Sequence, residues 1–141
     1  MRIPREGPSP RERLRPSQLY VGAEKLAAVL DRVDGPDNAF GPLPVYEFEG
    51  PGIEGGRYLV DGHTRALAAY LTGADAVTVE YDEELAEAYD RELYRECVRW
   101  CEEAGVERVP DLVGRVLGPD EYGRRWLDRC GRAAERLAGD R

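Results

Sequence analysis

The stretch from Arg57 to Gly73 constrains this chain more than any other. Arg57-Tyr58-Leu59-Val60 has the β-branched and aromatic character of a strand, Asp61-Gly62 breaks it, and His63 to Leu71 carries Ala66, Leu67, Ala69, Tyr70 and Leu71 in helical order up to Gly73. A strand running straight through a glycine turn into a helix is a junction of α/β architecture. Upstream, Leu43 to Phe48 reads as a strand that forms a hairpin with 57–60 across the glycine-rich loop 49–56. Downstream, the alternating β-branched run Ala76 to Tyr81 reads as a further strand of the same sheet. The expected fold class is therefore α/β (α+β), built on a small mixed sheet.

Helices flank that unit. Leu26, Val29, Leu30 and Val33 recur at i, i+3, i+4 and i+7, which predicts a helix over 23–33. Residues 83–104 are expected to be helical, with Leu85, Tyr89, Leu93, Cys97, Trp100 and Cys101 on the buried stripe. A short helix is expected over 111–117, stopped by Gly118. Another starts at Pro119 and runs to Leu137 with Tyr122, Trp126 and Cys130 four apart. The segment 1–13 is rich in proline and arginine and is expected to be a basic flexible arm. The organisation predicted is this arm, an α/β domain over 14–82, and a helical extension over 83–141 packed on it.

Rare residues exclude whole classes of chemistry. The chain of 141 residues has a single lysine, Lys25, and a single histidine, His63. Glu24 precedes Lys25, so no Walker A loop is present, and a two-histidine zinc motif is impossible. Ser9 and Ser17 are the only serines, and neither lies in a G-x-S-x-G elbow. Cys97, Cys101 and Cys130 form no C-x-x-C pair and are expected to be buried, reduced thiols. A formal net charge of -8 repels polyanions, so nucleic acid is not an expected partner. No apolar run reaches the length of a membrane span, and no membrane association is expected. The expected compartment is the cytoplasm.

The turn itself carries the chemistry. An aspartate at the end of a strand, Asp61, can hold Mg²⁺ or take a proton. Gly62 lets a backbone approach a ligand closely, and the N-terminus of the following helix offers N–H groups to a phosphate. Thr64 and Arg65, in the first helical turn, can add charge-assisted bonds to the same anion, although arginine there opposes the helix dipole. The competing explanation is structural: Asp61 and Thr64 cap the helix, Gly62 makes the turn, and Arg65 pairs with a surface acid.

The string LRPSQLY at 14–20, the strand LPVYEF, the motif VDGHTRALAAYLTG at 60–73 and AVTVEY after it resemble the ParB/sulfiredoxin superfamily, over about half of the chain. That resemblance implies a nucleotide-phosphate site at the turn. Sulfiredoxins carry a nucleophilic cysteine where this chain has His63. ParB proteins carry a basic box, where this chain has GHTRA. The DGHTR turn is most similar to that of the free serine kinases, which transfer a phosphoryl group from ADP or ATP to L-serine. It implies Asp61 and His63 at the reacting centre, with Gly62, Thr64, Arg65 and Ser17 on the phosphates. Those kinases place a catalytic glutamate just after the first-strand proline. Here Ser17, Gln18 and Leu19 occupy that stretch, leaving Asp61 or His63 as base. The expected function is a Mg²⁺-dependent phosphotransferase using ATP or ADP on a small hydroxyl substrate. The alternative is a non-catalytic nucleotide-sensing or protein-interaction module that meets a protein partner through its C-terminal helices, and a DNA-associated protein using the basic arm ranks third.

Overall fold

The hairpin at the centre of the molecule follows directly from alternation. In the computed structural model, β1 is Glu6–Pro10, β2 Leu14–Arg15, β3 Val21–Gly22, β4 Leu43–Glu47, β5 Arg57–Leu59, β6 Ala76–Tyr81 and β7 Val116–Leu117. The structure describes the backbone of residues 6–10, and in full residues 14–32, 42–74, 76–82 and 91–139. β4 and β5 pair antiparallel with Val45 opposite Leu59 and Tyr46 opposite Tyr58. β6 lies parallel to β4 on its other side, and β2 lies parallel to β5, giving the mixed order β1-β6-β4-β5-β2. The molecule is thus of the α/β class.

Successive strand residues face opposite ways, and the core divides accordingly. Leu43, Val45, Leu59, Val77 and Val79 join the main apolar cluster, whereas Tyr58 and Val60 join Phe48 and Val98 in a second one. α1 (Ala23–Leu30) and α2 (His63–Leu71) supply Leu26, Ala66, Leu67, Ala68 and Ala69 to the main cluster. The run of alanines brings the α2 backbone close to its neighbours. α3 (Arg91–Ala104) touches both clusters, through Val98 in the second and through Cys97 and Cys101 in the first.

Several expectations are corrected. Residues 6–10, assigned to a flexible arm, form β1, paired antiparallel with β6 at the edge of the sheet. Pro8 and Pro10 are two apart, so both missing N–H groups fall on one side of the strand, which an edge strand tolerates. The rest of 1–13 lies outside the described residues. Residues 111–117 do not form one α-helix. A 3₁₀ helix spans Val109–Arg115, where the Asp111 carboxylate accepts the Glu107 and Arg108 N–H groups at 3.0 Å each. Val116 and Leu117 then pair in parallel with Val21 and Gly22. The C-terminal extension is therefore not wholly helical.

The helix expected over 119–137 is interrupted by a wider turn. α4 (Pro119–Tyr122) leads through a π turn at Gly123–Leu127 into α5 (Asp128–Gly139). A π turn takes more residues than the about 3.6 of an α turn, so it brings residues four apart, such as Tyr122 and Trp126, nearer to alignment. The first helix is shorter than expected, ending at Leu30, and the stretch expected to be helical over 83–90 lies outside the described residues. Among the described residues no helix is long and apolar enough to cross a membrane.

Candidate functional site

The junction between β5 and α2 is built around one backbone conformation. Gly62 has φ 76°, the left-handed region that disfavours residues with a Cβ. A Cβ there would lie 3.0 Å from Leu43 Cδ2 and 3.1 Å from Arg65 Nη2. The Arg65 guanidinium is thus folded back over the glycine, from the first turn of α2. Asp61 Oδ1 accepts the Gly62 N–H at 2.7 Å, and the α2 N-terminus takes no side-chain cap. Asp61 and Thr64 are therefore not helix caps, although their residue types allow that role. Thr64 is half-buried in the same turn, and Asp61 is exposed.

His63 lies behind the turn. It is 3% exposed, and its Nε2 accepts the backbone N–H of Ser17 at 3.0 Å. Ser17 is equally buried, and its hydroxyl donates to the Leu59 carbonyl at 2.6 Å. The pair splices the loop after β2 to the end of β5. Burial pushes the His63 pKa down to about 4, against the opposing pull of Asp61. The imidazole is neutral at pH 7 with its proton on Nδ1, since Nε2 is an acceptor. A ring so buried and so engaged positions its neighbours, and it does not line the cleft described next.

A cleft of about 320 Å³ opens beside the turn. Ser17, Gln18, Val60 and Asp61 form one wall. Leu93, Tyr94 and Cys97 of α3, with Trp126 and Cys130 of the last helical segment, form the other. The Gln18 amide donates to the Tyr20 carbonyl at 2.7 Å and to the Tyr122 hydroxyl at 3.0 Å, which holds its head in place. An amide in that position is no proton acceptor for catalysis, so Asp61 is the ionisable carboxylate among the cleft residues. Of the residues singled out by sequence, Ser17 and Asp61 line the cleft, while Gly62, Thr64 and Arg65 form the turn beside it.

The second wall is the part that sequence reasoning missed. Its residues sit at three- and fourfold spacing on amphipathic helices, a pattern that signals burial and does not distinguish a core face from a cleft face. Trp126 meets Trp100 edge to face at 5.9 Å, and the Arg129 guanidinium lies 4.1 Å from the Trp100 ring centre. These contacts tie α3 to the last helix and so hold the wall together.

No family model matches the sequence, and no curated protein does. Among solved structures, protein Atu1540 from Agrobacterium tumefaciens matches at 21% identity and a TM-score of 0.46, over 64% of this chain and 49% of that one. The aligned part of this chain spans about half the length of that protein, and nothing about activity transfers at such similarity.

Proposed function

We propose that the cleft binds a nucleotide with its phosphates at the α2 turn, and that the protein is a phosphotransferase acting on a small hydroxyl substrate. The observation that carries this reading is the junction itself: Asp61 at the cleft, a left-handed Gly62, and the Arg65 guanidinium folded over it at the start of α2. Phosphoryl transfer needs positioning and charge neutralisation more than covalent catalysis, so it can proceed without a Walker lysine. In this scheme the α2 N-terminus, Thr64 and Arg65 hold the phosphates of ATP or ADP. Ser17 and His63 fix the turn. Asp61, oriented by the Gly62 N–H, takes the proton of the attacking hydroxyl as its oxygen bonds to phosphorus and the nucleotide departs.

Mg²⁺ fits this donor set, because it binds one or two carboxylates together with phosphate oxygens and water, and Asp61 supplies a carboxylate. When bound it would neutralise charge on the transferring phosphate. Among the described residues no group of three or more metal-ligating side chains comes together, so the ion would arrive with the nucleotide.

A second reading rests on the other wall. Because α3 and the last helix line the cleft, a nucleotide bound there would touch the C-terminal extension, as a sensing module that signals to a protein partner requires. Calorimetric titration of ADP, ATP and CTP, each with Mg²⁺, separates the two. Arg65→Ala is expected to weaken ADP or ATP binding by about ten- to hundredfold, the worth of a charge-assisted bond. Asp61→Asn is expected to keep binding but to abolish phosphate transfer, assayed first with L-serine. Binding without product would favour the sensing module, and no binding to the wild type would overturn both.

A further inference from the structure

Two of the three cysteines have a relationship that the phosphate site does not use. Cys97 on α3 and Cys130 on α5 both line the cleft, and each thiol lies near enough to shift the ionisation of the other. They are 33 residues apart in sequence, so only the packing of α3 against α5 brings them together. The two differ in environment. Cys97 is 5% exposed, whereas Cys130 is half-buried and accessible from the cleft. The neighbouring Cys97 side chain lowers the Cys130 pKa, burial opposes this, and Arg129 beside it acts in the same direction as Cys97. The Cys130 side chain and burial together raise that of Cys97. Cys101, one turn further along α3, is buried, and burial pushes it up to about 12. One thiol is thus disposed to react first and a second is poised to resolve the product, with the third withdrawn.

We propose that Cys97 and Cys130 are a redox-active dithiol, whose oxidation by a small disulfide joins α3 to α5 across the wall of the cleft. The Cys130 thiolate attacks one sulfur of the disulfide, and a bond forms between them as the first small thiol leaves. The Cys97 sulfur then attacks Cys130 Sγ, closing the Cys97–Cys130 bond and releasing the second small thiol. Two protein thiols are oxidised and one small disulfide is reduced to two thiols, which take up the two protons. This chemistry stands apart from the nucleotide reading and survives if the cleft binds none.

Oxidised glutathione is the probe. After incubation, alkylation of free thiols and tryptic digestion, Arg99 separates Cys97 from Cys101, and peptides 96–99 and 130–132 each carry one cysteine. The expected product links those two peptides and leaves Cys101 alkylated. Cys97→Ser is expected to trap Cys130 as a mixed disulfide with glutathione, and Cys101→Ser to leave the link unchanged. Because the fold supplies the proximity, the equilibrium for the link is expected to favour the folded chain by at least about tenfold over the chain in guanidinium. A link between Cys97 and Cys101, a stable mixed disulfide in the wild type, or equal equilibria with and without denaturant would each overturn the proposal.

Discussion

His63 shows how one side chain can be conspicuous in a sequence for one reason and matter in the fold for another. The family resemblance implies it at the reacting centre, yet burial and the Ser17 N–H make it a neutral strut. The consequence is a dependence of stability on pH. Its folded pKa of about 4 lies below the unfolded value of 6.5, so the folded state binds fewer protons between the two. The stability it contributes is whole above about pH 6.5 and is lost as the pH falls towards about 4. Urea unfolding from about pH 7 to about pH 4 is expected to show a loss of roughly 2–3 kcal/mol in the wild type beyond that in His63→Gln. Equal losses in the two proteins would remove the histidine from the account. Asp61, Gly62 and Arg65 differ from His63, because a turn between strand and helix makes their positions local consequences of sequence, and they lie after the strand, in the turn and in the first helical turn as the local pattern predicts.

Elements whose pattern and stop signals agree are those the sequence delimits well. α2 and β6 occupy the expected residues, since a glycine turn opens the helix, Gly73 ends it, and β-branched alternation marks the strand. Where pairing partners are distant, local pattern fails. Val116 and Leu117 continue a helical periodicity, but the edge of Val21–Gly22 takes them into a parallel pair. Glu6–Pro10 reads as unstructured, but the open side of β6 accepts it. At this scale the joint between α3 and the last helix is the vulnerable one. Trp126 is 6% exposed and packs on Trp100, so Trp126→Ala is expected to cost about 3–5 kcal/mol in chemical denaturation. A change under about 1 kcal/mol would show that the wall packs without it.

For the molecule as a whole, charge and site geometry are set independently. The net charge of -8 makes the long-range field unfavourable to polyanions, whereas the proposed phosphate site at Arg65 and the α2 N-terminus would act only over short range. A small nucleotide can be held by a few short contacts, whereas duplex DNA needs many phosphate contacts along one face. No retention of duplex DNA at physiological salt is therefore expected in gel-shift assays, with tight, steeply salt-dependent retention as the contrary result. The class of fold, its central hairpin and the helix after the glycine turn were determined by sequence alone, because each rests on a continuous stretch of chain. Only the tertiary structure decided that the C-terminal helices face Asp61, that Ser17 locks His63, and that Cys97 meets Cys130. Those contacts join residues 32 to 69 positions apart, and no periodicity within one segment encodes which distant segment will cover it.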